Sequence, residues 1–279
     1  MKGTRLRYFT AGEGESLVLV HGLGGAAANW VELAPALARR RRVLVPDLPG
    51  HGASDPAPAA PNLAAYADRL ALMIEGEGML PASLVGHSFG GSVALRLGIR
   101  RPEAVTGIVL AGASGISSGR RLAQAVVTTI GLVRPGRVVA RARAEIAATP
   151  WLRYPVFGRW GAADPQSLSP QAVLGFLEPQ LLHTDTRSAG RALAGEDARP
   201  ELYLVRCPCL VLWGARDAMV PVADGFEYAR RLRAPLRVIA GCGHLLIAER
   251  PDACLDAIEG FLNGIREVDE FPAEPVPLC

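Results

Sequence analysis

Lysine is nearly absent from this 279-residue chain. Lys2 is the only one, so almost all of the positive charge is arginine. Schiff-base chemistry, which needs a desolvated lysine, therefore has no residue to run on. Charge of one sign is also missing: the net charge is +3, too small a balance to point to a nucleic-acid partner. No uninterrupted apolar run approaches the ~18 residues of a membrane span. The opening Met1 to Arg7 is charged and lacks the apolar stretch of a secretory leader. Cysteines are few and late, at 207, 209, 242, 254 and 279. Cys207 and Cys209 form a C-x-C with no second half at zinc-ligand spacing, so they point to no metal site. Small buried thiols in a reducing cytoplasm are the simpler expectation.

What is present is 49% hydrophobic residues in a length that suits one large α/β domain carrying a lid. Arg5 to Thr10 reads as an opening strand, and the apolar run Leu17-Val18-Leu19-Val20 as a strand buried on both faces. Asn29 to Arg40 has helical spacing, with Trp30, Leu33 and Leu37 on one face. Val43 to Val45 is a further strand, Leu63 to Glu75 an amphipathic helix, and Gly107 to Ala111 another strand. From about Gly115 to Pro200 the pattern changes to helix-like pieces broken by prolines: Arg120 to Val133, Val138 to Ala148 and Pro170 to Leu182. Strands return at Leu210 to Trp213 and Arg237 to Ala240, and Asp252 to Leu262 closes the chain as a helix. Alternating strands and helices predict a doubly wound, mostly parallel α/β sheet of about 7–8 strands. The expected division is a core of residues 1–114 and 201–265, a helical cap over 115–200, and a mobile tail over 266–279.

The chemistry concentrates at Leu84-Val85-Gly86-His87-Ser88-Phe89-Gly90-Gly91, a strand end, then G-x-S-x-G, then a helix. In that setting the motif reads as a nucleophile elbow. Gly86 and Gly90 let the turn approach its neighbours closely enough for the Ser88 hydroxyl to stand clear. A serine hydroxyl needs a base within reach and a third group to orient that base. The strand at Leu210 runs into Gly214-Ala215-Arg216-Asp217, and the strand at Arg237 into Gly241-Cys242-Gly243-His244. Asp217 and His244 thus fall at the same sheet edge as Ser88.

Plainer readings stand beside these. Ser88 could be a small residue in a tight turn, Asp217 an N-cap for a segment beginning near Ala218, and His244 a surface turn residue. Asp197, the main rival acid, lies too far before its strand. His21 is expected to brace the glycine turn that follows it, and His51 to be structural. His87 is not cast as the base, because adjacent elbow residues point apart. His183 has no identifiable partner.

Taken together, His21 to Gly25, Asp47 to Asp55, Gly86 to Gly91, Trp213-Gly214 with Asp217 and Pro221, and Gly241 to His244 resemble the α/β-hydrolase superfamily, in its lidded esterase, lipase and C–C hydrolase branch. The similarity covers roughly Arg5 to Ser114 and Pro200 to Asn263. It implies a Ser88, His244, Asp217 triad, in the chain order Ser, Asp, His. It also implies an oxyanion hole from the backbone N–H groups of Leu23 and Phe89. A serine at the elbow sets this chain apart from epoxide hydrolases and haloalkane dehalogenases of the same superfamily, which carry aspartate there.

Three functions follow from the resemblance: a carboxylic-ester hydrolase acting through an acyl-enzyme, a C–C bond hydrolase of ring-cleavage products, and a catalytically silent scaffold. The favoured one is the first, with a small-molecule ester carrying an apolar acyl group as its substrate. Between residues 115 and 163 eight arginines face a single acid, Glu145. A solvated lid face accounts for this; the sharper reading is a rim tolerating anionic substrates, or transient contact with an anionic lipid surface.

Overall fold

The computed structural model describes residues 5–57, 61–117, 135–158, 161–182 and 184–270. The expected helix at Arg120 to Val133, His183, and the tail beyond residue 270 lie outside them.

Seven strands form one sheet: β1 (Tyr8–Ala11), β2 (Ser16–Val20), β3 (Arg42–Pro46), β4 (Ala82–His87), β5 (Val105–Ala111), β6 (Cys209–Gly214) and β7 (Leu236–Ile239). Their spatial order is β1-β3-β2-β4-β5-β6-β7. Only β1 runs antiparallel to its neighbour, with Tyr8 opposite Pro46; the other pairs are parallel. The unbroken apolar runs sort by alternation. Val18, Val20, Leu84, Ile108, Leu110, Val211 and Trp213 enter one core layer. Leu17, Leu19, Val85, Val109, Leu210 and Leu212 enter the other. A strand covered on both faces has no reason to alternate with polar residues. The first layer packs on the helices Leu63–Gly76, Phe89–Arg100 and Val222–Leu232, and the second on Trp30, Leu33, Leu37 and the long helix Pro251–Glu270.

Several boundaries differ from expectation, each for a local reason. The first strand begins at Tyr8 because Arg5 and Arg7 pair instead with the loop 47–55: Arg5 N–H donates to Asp55 and Arg7 N–H to Ser54 Oγ. The continuous helix expected over 29–40 is a 3-10 turn, Ala27–Trp30, followed by a single turn, Ala34–Leu37. Pro35 has no N–H to give to the turn before it. Val138 to Ala148 splits into Pro135–Arg141 and Arg143–Ala148 at Ala142. Pro170–Leu177 tightens into a 3-10 turn, Glu178–Leu181, at Pro179. The Gly175 carbonyl that Pro179 cannot satisfy accepts Asn29 Nδ2–H at 2.9 Å. Three helices were not expected at all: Thr186–Ala194, capped by the Asp185 side chain on Ser188 N–H, Val222–Leu232, and the single turn Leu246–Glu249. The closing helix runs on to Glu270.

Between residues 135 and 204 no strand occurs among the described residues, and short helices gather around their own apolar cluster of Ile146, Phe157, Leu168, Val173 and Leu177. This helical cap is inserted after β5 and returns to the sheet at β6.

Candidate active site

Ser88 sits between β4 and the helix Phe89–Arg100 with φ +52° and ψ −116°, a left-handed conformation that a side chain rarely adopts. Such strain persists only where the surroundings enforce it. Ser88 N–H donates to the Ala111 carbonyl at 3.0 Å, and its own carbonyl accepts Gly91 N–H at 3.0 Å and Ser114 N–H at 3.2 Å. The flanking glycines are steric necessities. A Cβ on Gly86 would lie 2.4 Å from the Gly90 carbonyl oxygen, and one on Gly90 would lie 2.2 Å from the Val20 carbonyl oxygen. The helix that follows presents its N-terminus, and therefore unpaired N–H groups, at this point.

Asp217 lies in the turn after β6 and does two things at once. Its Oδ1 accepts Met219 N–H at 2.9 Å and Val220 N–H at 2.8 Å, closing the turn; it caps no helix, since none begins near Ala218 and the next, Val222–Leu232, follows Pro221. Its Oδ2 meets His244 Nδ1 at 2.7 Å, with both side chains buried. A carboxylate only accepts, so Nδ1–H is the donor in this contact and Nε2 is the ring nitrogen it leaves over. Gly112, next to the carbonyl that holds Ser88, lies against the pair: a Cβ there would be 3.4 Å from both Asp217 Oδ2 and His244 Nδ1.

The structure ties His244 to the elbow through His87. His87 Nε2–H donates to the His244 carbonyl at 2.9 Å, and the two rings lie 5.0 Å apart. His87 thus packs on the other histidine of interest, a contact that no pattern along the chain reports. Among the described residues the Ser88 hydroxyl makes no protein hydrogen bond; such contacts often tighten only when substrate is bound.

The loop after β2 carries Leu23. His21 braces it as expected: Nδ1–H bonds the Gly22 carbonyl at 2.7 Å, and Nε2 accepts Leu48 N–H at 2.9 Å. Asp47 joins this loop to the next, with Oδ1 on Ala27 N–H at 2.7 Å and Oδ2 on Ala53 N–H at 2.9 Å. The cap reaches the same loop, where Gln180 Nε2–H donates to the Gly24 carbonyl. Neither Leu23 N–H nor Phe89 N–H meets a protein acceptor among the described residues. Burial holds His21 down to about 4 and His51 and His87 down to about 3, so all three are neutral near pH 7. Among the described residues no group of three or more His, Cys, Asp or Glu is placed to hold a metal ion.

Arg153 and Glu249, both buried, were missed by sequence reasoning. Arg153 belonged to the arginine-rich stretch read as a rim, yet its guanidinium points inward, donating to the carbonyls of Ile146, Ala147, Gln166 and Leu168. Composition could not tell it from its exposed neighbours. Glu249 had no partner in the sequence to mark it.

A family model for the alpha/beta hydrolase family matches residues 17–257. The chain belongs to that family. As an α/β hydrolase it is similar to the pimeloyl-(acyl-carrier protein) methyl ester esterase of Aromatoleum aromaticum, 32% identical over 254 residues that cover 89% of this chain and 98% of that protein. It is also similar to the 2-hydroxymuconate semialdehyde hydrolase of Pseudomonas sp., 41% identical over 119 residues, covering 41% of this chain and 42% of that one. Among solved structures, a thermophilic esterase from Thermogutta terrifontis superposes with a TM-score of 0.76 at 26% identity, covering 94% of each chain. No helix among the described residues is long and apolar enough to cross a membrane.

Proposed function

We propose that this α/β hydrolase is a serine hydrolase that cleaves carboxylic esters through an acyl-enzyme. The observation that carries the reading is the 2.7 Å contact between Asp217 Oδ2 and His244 Nδ1, and the strained elbow that holds Ser88 at the end of β4 supports it. Ser88 Oγ attacks the ester carbonyl while His244 Nε2 takes its proton. His244 then returns that proton to the departing alkoxide. Asp217 keeps the imidazole in the tautomer with a free Nε2 and stabilises the imidazolium as it forms. The oxyanion is received by Leu23 N–H and Phe89 N–H, which no protein acceptor occupies among the described residues. Water, activated by His244, then releases the acid. The reaction as written calls for no cofactor. In this reading residues 1–114 and 201–265 carry the machinery, and residues 115–200 cover it and shape the pocket for an apolar acyl group.

A chain-length series of chromogenic esters, assayed with wild type and Ser88→Ala, tests the proposal. Turnover in wild type and a loss of about 10³-fold or more in the variant are expected. Wild type that turns over none of the esters and is not labelled at Ser88 by a fluorophosphonate would sink it.

The partial likeness to the 2-hydroxymuconate semialdehyde hydrolase favours one second reading, in which the same three side chains cleave a C–C bond. A yellow ring-cleavage product that fades on mixing with wild type, while simple esters stay intact, would put that reading first.

A further inference from the structure

Glu249 is only 3% exposed and ends the short helical turn Leu246–Glu249, just before the long C-terminal helix. Its two carboxylate oxygens serve different parts of the chain. Oε2 accepts Gly243 N–H at 2.7 Å, immediately before His244, and Oε1 accepts Asp164 N–H at 2.7 Å, in the cap. On the other side of His244, Leu245 N–H donates to the cap's Gly161 carbonyl at 3.0 Å. The two backbones lie so close that a Cβ on Gly243 would sit 2.6 Å from the Gly161 carbonyl oxygen and 2.8 Å from Ala163 N. Burying a carboxylate is expensive, and an apolar residue of similar size would normally cost less. Here it would leave two backbone N–H groups from separate segments with no acceptor.

We propose that Glu249 is a positioning residue that straps the cap to the loop carrying His244, so that the placement of the imidazole depends on the seating of the cap. The inference rests on the hydrolase reading for its catalytic consequence; the strap itself is a matter of geometry. Gln is close to Glu in size, but its amide has one acceptor oxygen and turns an NH2 toward the other N–H. Glu249→Gln therefore cuts one strap while filling the same space.

The test reads the far-downfield NMR resonance of the His244 Nδ1 proton, which reports its bond to Asp217, alongside ester kinetics. In Glu249→Gln this resonance is expected to broaden or vanish, and kcat to fall by about 10–10²-fold with KM little changed. Arg250→Ala is the control. Arg250 braces the same loop from outside, at the Gly241 carbonyl (3.1 Å), Ser167 Oγ (3.3 Å) and the Glu249 backbone carbonyl (2.8 Å), without touching the Glu249 carboxylate or the two N–H groups it holds. Its resonance and kcat are expected to match wild type. A wild-type resonance and kcat in Glu249→Gln would overturn the proposal, as would equal losses in both variants. Should Glu249→Gln fail to fold, Glu249→Asp, too short to reach both N–H groups, carries the same expectations. Absence of fluorophosphonate labelling at Ser88 in wild type would overturn the hydrolase reading instead, and the resonance would still decide the strap.

Discussion

The sheet and the cap solve the same problem, satisfying buried backbone, by opposite means. In the sheet each strand's carbonyls and N–H groups are met by the next strand, and the side chains above and below are apolar. In the cap the helices Pro135–Arg141, Arg143–Ala148 and Pro170–Leu177 span only a turn or two, so much of their backbone is helix end. Ionic side chains fill the gap: Arg153 gathers four carbonyls and Glu249 two N–H groups. A short helical layer thus uses buried charge, as the core does in its loops at Asp47, where the paired strands themselves need none. That charge also forms the joint between the two.

The largest effect is expected where that arrangement is most concentrated. Arg153→Ala strands four carbonyls, and a loss of about 3–5 kcal/mol confined to the cap is the expected outcome. Hydrogen exchange should rise over residues 146–168 while the strands stay protected. Lysine should not rescue it, since an ammonium lacks the planar fork. Exchange rising equally in the sheet would show the two layers to be one cooperative unit. In the core the sharpest challenge is to the elbow. Gly90→Ala sets a Cβ 2.2 Å from the backbone oxygen of Val20, which cannot swing aside. A global destabilisation of about 1–3 kcal/mol, read from urea midpoints, is expected.

Acid should separate the layers as well. His21, His51 and His87 all belong to the core and are held by burial at about 4, 3 and 3, against an ordinary value of 6.5. Because their folded values are lowered, the unfolded chain binds protons that the folded chain refuses. Stability is therefore full above pH 6.5 and falls as pH drops through the window toward 4 and 3. Each imidazole contributes up to about 1.4 kcal/mol per pH unit there. His51→Asn should flatten the slope of stability against pH by about one proton. An unchanged slope would mean that His51 titrates in the fold as it does in the open chain.

How much of this was legible follows from the same contrast. Leu17 to Val20 and Leu210 to Trp213 announce two-faced strands by composition alone, and a glycine-flanked serine between a strand and a helix announces its turn. Asp217 and His244 were locatable because strand ends in a parallel sheet share an edge. The cap resisted. Pro179, which has no N–H, leaves the Gly175 carbonyl unmet, and Asn29, 146 residues before Gly175, supplies the donor. Arg153 and Arg143 look alike in sequence, yet one is buried and the other is not. Long-range polar pairing has no period, so no pattern along the chain reports it.

That last pair supplies the smallest expected effect, and it closes the comparison. Arg143 lies 3.6 Å from Glu178, with side-chain exposures of 35% and 54%. In water the attraction is screened and the two side chains give up rotamer freedom to meet, so Arg143→Ala should change stability by about 0.5 kcal/mol or less. Its urea midpoint should coincide with that of wild type. The difference between Arg143→Ala and Arg153→Ala then isolates burial as the variable, since charge and segment are shared. Comparable losses in the two variants would show that the cap responds to total arginine rather than to the guanidinium enclosed by its carbonyls.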